Sequence, residues 1–405
     1  MFYGWWIVLA CFFIAFYVAG IIFYGFTAFI EPLVAEFGWS YAQISFAASL
    51  RGLEMGIMAP IVGFLVDRFG SRRLLTSGII ILGFGIILLG YTRSLFTFYM
   101  SFVLMAFGAG GCTSVVTLTA IANWFDKNVG KAMGVMVSGF GASGLLIPVI
   151  VWLIGVYGWR TAVIMLGIGS WVLLLPLSII IRDKPEDYGY DPDGVSPEEK
   201  VTNERDDAEG IPLGFRDAIR EKTFWYVNIT EIIRLMVLAT VVTHIMPYLS
   251  SMGLSRTAAG FVAAGIPFFS IAGRFGFGWL GDLVEKKYVM AIAYGLMGIG
   301  MLSLTLAEIK GFIYVFLFFF SNGFGGLAVL RSAILREYYG RDFFGKLMGI
   351  MMGFGAVGGI IGPTVAGWVF DRMGTYHFVW LTLSMLIGVA VFLILGVESK
   401  KKRPV

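Results

Sequence analysis

The stretch GFLVDRFGSRR (63–73) recurs in weaker form as GWLGDLVEKK (278–287). In each, a glycine and an aspartate four residues apart close an apolar run and a basic pair follows. The aspartates, Asp67 and Asp282, are 215 residues apart. At the same offset Gly130-Lys131-x-Met133-Gly134 returns as Gly345-Lys346-x-Met348-Gly349, and Pro148 as Pro363. Trp124-Phe125 has its counterpart in Tyr338-Tyr339. One such motif is weak, but several at a nearly constant spacing mark an internal duplication. The chain is therefore expected to fold as two related halves with equivalent loops.

Between these loops lie apolar runs. Crossing a hydrocarbon core of about 30 Å takes about 20 apolar helical residues. Twelve spans are predicted: 5–29, 42–66, 74–92, 95–122, 131–153 and 160–181 in the first half, then 223–249, 257–281, 288–307, 311–335, 347–369 and 376–396. Met1–Trp6 lacks the basic region of a signal peptide, so the first run is expected to be retained as a helix. The predicted fold is an all-α membrane protein with 12 transmembrane helices. Its parts are an N-terminal six-helix bundle (1–181), a linker (182–222), a C-terminal six-helix bundle (223–396) and a basic tail (397–405).

Composition agrees with a lipid solvent. The 405 residues are 58% hydrophobic and 14% charged, with a mean hydropathy of +0.84. Globular domains average about 45–50% apolar and about 25% charged. A cytosolic enzyme, a disordered chain and a disulfide scaffold are excluded, the last also because Cys11 and Cys112 sit in apolar runs. His244 and His377 are the only histidines, which speaks against haem or a histidine-rich metal site. Neither HExxH nor GxSxG occurs, so no catalytic set, metal or cofactor is expected. Nucleic acid is not an expected partner.

The basic residues orient the chain. Of the 30 Lys and Arg, 21 fall in the loops and tail on the side of the termini, five in the opposite loops and four within spans. Positive residues collect on the cytoplasmic side, so both termini are expected there. The linker carries 20 of the 56 formal charges with several Pro and Gly, and reads as a cytoplasmic connector. In the repeated loop, Asp67 with Arg68 and Arg72, and Asp282 with Lys286, suit a conformational latch. An aspartate there can pair with basic residues or cap a neighbouring helix N-terminus. The same charges also serve as topology anchors, and both roles are expected.

The motifs GFLVDRFGSRR and GWLGDLVEKK and the 6+6 plan resemble the major facilitator superfamily across the whole chain. More narrowly, YGWWIV (3–8), NWFDKNVGKAMGVMVSGFGASG (123–144) and THIMPYLSSMGLS (243–255) resemble the monocarboxylate transporter and oxalate/formate antiporter families. The resemblance implies a secondary transporter whose two halves rock around a midplane site. Its substrate would be a small monocarboxylate anion such as lactate or pyruvate, driven by protons, with organic anion exchange as the alternative. A functional monomer in the plasma or cell inner membrane is expected.

Ionisable groups inside spans are costly and mark function until paired. Arg274 lies eight residues before Asp282, about 12 Å along the axis from the helix end, near the bilayer middle. Its planar fork suits a carboxylate. An internal ion pair is the competing use. The monocarboxylate family places its substrate arginine in this segment. That family has an aspartate where this chain has Ser270, and a lysine where Tyr24 aligns, so its proton coupling does not transfer directly. The helix 11 cation of the oxalate carrier aligns with Gly355.

Arg331 could add a second cation, but lies nearer the cytoplasmic end and is expected to snorkel to the interface. Arg51 with Glu54, and Glu231 with Arg234, are three apart and can self-neutralise. Either glutamate would couple a proton if its partner left during rocking. His244, one turn before Pro247, fits either a proton sensor or a gate hydrogen bond. Glycine-dense runs in helices 5 and 11 place Gly141 and Phe354 beside the expected cavity. Tyr17, Phe23, Tyr24, Phe268, Phe269, Phe275 and Phe277 are candidates for an apolar cage. Export of cationic drugs would require cavity acids, whereas the central embedded charge is basic.

Overall fold

The computed structural model describes residues 2–50, 59–112, 114–125, 129–189, 219–307, 309, 311–339 and 344–397. Among them no strand occurs; the secondary structure is helical. Lipid offers the backbone no hydrogen bonds, so an apolar chain satisfies its own amides by coiling into helices. The first helices are α1 (Gly4–Val18, continued by a π turn at Ala19–Tyr24), α2 (Thr27–Phe37), α3 (Tyr41–Leu50), α4 (Ala59–Phe69) and α5 (Ser71–Gly90). Next come α6 (Leu95–Gly110), α7 (Ser114–Trp124), α8 (Val129–Ala142) and α9 (Leu146–Ile180). Beyond the linker are α10 (Lys222–Ser251), α11 (Arg256–Leu283), α12 (Lys286–Thr305), α13 (Gly311–Tyr339), α14 (Phe344–Met373) and α15 (His377–Leu395).

Ten stretches among the described residues are long and apolar enough to cross a membrane. One of them, 131–180, is read by sequence as two spans, and α9 indeed breaks at Gly158, whose φ of +75° is left-handed. The expected span 42–66 corresponds to α3 and α4, on either side of residues 51–58, which lie outside the described set. Within helices, hydroxyls turn back on their own carbonyls: Ser101 donates to Thr97, Thr240 to Met236 and Ser303 to Gly300. This keeps small polar groups satisfied where water is absent.

The backbone gathers into two compact units. The first holds Met1–Phe23, Leu53–Ser143 and Leu153–Ile211. At the N-terminal end of α1, Phe2 and Tyr3 pack on Trp124 with ring centroids 5.9 and 5.4 Å apart, and Trp5 meets Phe125 edge-on at 5.2 Å. The Arg182 guanidinium sits over the rings of Tyr3 (4.0 Å) and Tyr188 (4.3 Å). Trp124 Nε1 donates to the Arg182 carbonyl, and the Asp183 carboxylate accepts from the backbone N–H of Arg72 at 3.0 Å. The aromatic opening YGWW and the NWF segment are thus two sides of one cluster tying α1, α5, α7 and the end of α9.

The second unit holds Tyr24–Gly52, Gly144–Trp152 and Pro212–Val405. Its α11 and α13 touch backbone to backbone at glycines. A Cβ added to Gly273 would meet the Asn322 carbonyl, and one added to Gly325 the Ser270 carbonyl. This close crossing brings Arg274 and Arg331, one on each helix, into one region. Gly325→Val should force the helices apart and cost about 1–3 kcal/mol, read as a lower Tm in detergent. Gly276→Ala, with open space around the added methyl, should change stability by less than about 0.5 kcal/mol.

Candidate functional site

The second unit contains a buried ionic cluster built from α10 and α13, with α11 beside it. Glu231 and Arg234, one helical turn apart on α10, form the expected pair. Arg234 Nε donates to Glu231 Oε2 at 2.7 Å and a terminal guanidinium N–H donates to Oε1 at 2.6 Å. Both side chains are all but removed from solvent, at 3% and 2% exposure. The same Oε1 also accepts from Arg331 at 2.6 Å. Arg331 therefore does not snorkel to the interface as the sequence led one to expect. It turns inward because Glu231 offers an anionic partner within reach, and an ion pair in a dry interior outweighs a long reach to water.

One carboxylate thus serves two guanidiniums, using a bidentate fork to the first and a single bond to the second. Arg331 Nε is buried without a hydrogen-bond partner, so its fork is only part used. Helix α14 closes over the cluster at Gly355, where an added Cβ would come within 3.1 Å of Glu231 Cγ. A side chain at this position would have to displace the Leu235 and Glu231 side chains.

Arg274 is partly buried on α11, and Tyr24, Arg331 and Arg234 are near enough to act on it electrostatically. Tyr24 is buried at the end of the π turn that finishes α1. Ser270 is fully buried and donates its hydroxyl to the Pro267 carbonyl at 2.6 Å. Of the proposed apolar cage, Tyr17 is in the first unit with its hydroxyl given to the Leu166 carbonyl. Phe268, Phe269 and Phe275 are exposed on the surface of α11. Gly141 is buried in the first unit, and Phe354 packs edge-on against Trp225 at 5.4 Å.

The other expected residues are distributed as follows. Glu54 and Arg51 lie outside the described residues, as do the side chains of Asp67 and Asp282. Arg68 is exposed beside the Phe69 ring. Lys286 pairs with Glu337 at 2.6 Å, and the backbone N–H of Arg72 reaches Asp183. His244 is fully buried. Its Nε2 faces the Pro363 carbonyl at 2.9 Å and Ser45 Oγ at 3.1 Å, and its Nδ1 faces the Tyr376 hydroxyl at 2.9 Å. A carbonyl only accepts, so this network assigns the proton to Nε2, and Nδ1 accepts from Tyr376.

Sequence reasoning did not single out Asp371. Its carboxylate accepts from the backbone N–H groups of Tyr41 (3.0 Å) and Ala42 (2.9 Å) at the start of α3. The signal was present as Gly367-x3-Asp371-Arg372-x-Gly374, which repeats Gly63-x3-Asp67-Arg68-x-Gly70 outside the 215-residue register.

The long apolar helices, with arginines held within them, define a multi-pass integral membrane protein. The sequence pattern of the Major Facilitator Superfamily matches residues 8–266 and, overlapping, 236–405. The chain belongs to that superfamily. Monocarboxylate transporter 13 of Bos taurus is 24% identical, over 97% of this chain and 89% of its own. Monocarboxylate transporter 4 of Rattus norvegicus is 23% identical, over 99% and 85%. A bacterial homologue of the human lysosomal transporter Spinster, solved in an inward-facing and occupied conformation, superposes with a TM-score of 0.75 at 14% identity, covering 98% of this chain and 97% of that one.

Removing the shared carboxylate should be the most damaging change in the cluster. Glu231→Ala leaves two guanidiniums buried without their counter-charge, an expected loss of about 3–5 kcal/mol. Arg331→Met, which leaves the bidentate Glu231–Arg234 pair intact, should cost less. Thermal unfolding of the purified variants ranks the two.

Proposed function

We propose that this transporter carries small monocarboxylates of the lactate or pyruvate type, coupled to the proton gradient, by alternating access of two six-helix halves whose termini are cytoplasmic. Arg274 receives the substrate carboxylate in this reading. The observation that carries it is the placement of Arg274: a mid-span guanidinium, partly buried, in a region where Arg234 and Arg331 add positive potential. A carboxylate entering such a site exchanges water for a bidentate, charge-assisted contact in a low-dielectric setting. The Tyr24 hydroxyl nearby is a further donor for the same group. Relatives named as monocarboxylate transporters support the substrate class.

The second reading is exchange of organic anions. It is favoured by the engagement of Glu231 with two arginines at once, which occupies the acid most suited to carry a proton, and by Ser270 standing where the monocarboxylate family has an aspartate. Proteoliposomes separate the two. A pH gradient alone should drive lactate uptake in a symporter, whereas an exchanger should need anion on the opposite side.

For either reading, Arg274→Ala should abolish lactate binding and Arg274→Lys should weaken it at least tenfold, measured by thermal shift or calorimetry. Binding unchanged in both variants would remove Arg274 from the site.

A further inference from the structure

The motif Gly-x3-Asp-Arg-x-Gly at 367–374 has a physical meaning that the structure displays in full. Its last glycine, Gly374, has a φ of +66° and closes α14 with its N–H on the Phe370 carbonyl at 2.8 Å. Gly70 ends α4 in the same manner, with a φ of +83° and its N–H on the Val66 carbonyl at 2.9 Å. The first glycine permits contact: a Cβ added to Gly367 would stand 2.8 Å from the Ala42 nitrogen and the Tyr41 carbonyl carbon. Between them, Asp371 is aimed at the start of α3.

The first turn of α3 shows how fully Asp371 is used. Ser40 and Gln43 cap one another, Gln43 N–H to Ser40 Oγ at 3.1 Å and Ser40 N–H to Gln43 Oε1 at 3.0 Å. That leaves the N–H groups of Tyr41 and Ala42, and Asp371 takes one on each carboxylate oxygen. A carboxylate at a helix N-terminus gains from the helix dipole as well as from both hydrogen bonds. The adjacent Arg372 is placed over the Trp368 ring.

Further bonds along the same unit join residues 27–50 to residues after 240. Ser49 Oγ donates to the Ile360 carbonyl at 2.7 Å, Ser45 faces His244, and Arg256 donates to the Ala28 carbonyl and lies 3.5 Å from Glu31. All of these join the first half of the sequence to the second. Asp371 is the one acid among them that grips backbone, so its bonds require α3 to be helical and in register.

We propose that Asp371 is the latch that holds this end of the transporter closed, its carboxylate releasing the N-terminus of α3 each time the halves rock open. The proposal rests on the alternating-access reading above but not on the identity of the substrate. Its counterpart by motif, Asp67, would sit at the opposite membrane face.

The test is the rate at which a thiol reagent reaches a cysteine placed inside the closed contact. Ser49→Cys is nearly isosteric at a site 1% exposed, and native Cys11 and Cys112 are buried, so the background is low. In detergent, Asp371→Asn and, independently, Gly367→Val should each speed maleimide labelling of Ser49→Cys at least fivefold. Asp371→Glu, which keeps the carboxylate, should fall closer to the parent, and Arg372→Gln should match it. The latch is overturned if Asp371→Asn and Gly367→Val label at the parental rate. It is equally overturned if Asp371→Asn speeds labelling of Ser101→Cys, buried in the first unit, by the same factor, since that is general loosening. Arg274→Ala in the Ser49→Cys parent separates the two readings. Parental labelling with intact anion binding would sink the substrate site and leave the latch standing.

Discussion

A guanidinium inside a bilayer must find replacements for its lost water, and Glu231 is the group that supplies them here. It holds Arg234 by two hydrogen bonds and Arg331 by one. Because the two arginines come from α10 and α13, the carboxylate sets how these helices face each other. Gly355 then lets α14 close over the carboxylate without a side chain between them. The glycine contacts of α11 with α13 carry Arg274 into the same neighbourhood. Helix packing in this unit thus keeps Arg234 and Arg331, from two different helices, on the one acid they share.

Away from that cluster, two aspartates make their contacts at helix ends. Asp183, beyond α9, accepts from the first turn of α5, and Asp371, at the end of α14, accepts from the first turn of α3. Both use the same physics, an aspartate placed against free N–H groups and the positive end of a dipole. Such contacts depend on the register of the two helix ends. They are strong while in register and are lost together once the ends separate, without disturbing the dry interior of either helix.

Several parts of this arrangement were legible in the sequence because their causes are local. Glu231 and Arg234 are one turn apart on any helix, so their pairing follows from spacing. Arg274 stands out because mid-span charge is rare whatever surrounds it. Arg331 was misjudged because distance to the interface is visible in sequence, whereas a partner 100 residues away on another helix is not. Asp371 was overlooked for a different reason. Its motif was present, but it falls outside the repeat register, and only its contact with α3 gives the pattern a purpose.

The sequence by itself determined that this chain spans a membrane many times and that it places basic residues within its apolar runs. These conclusions rest on hydrophobicity, periodicity and the cost of charge in lipid, all of which belong to residues or short segments. The tertiary structure alone decided that Arg331 shares the acid of Arg234, which glycines lie against backbone and which aspartate grips which helix. Those depend on the juxtaposition of helices far apart in the chain, where a shift of a few ångströms separates an ion pair from two isolated charges.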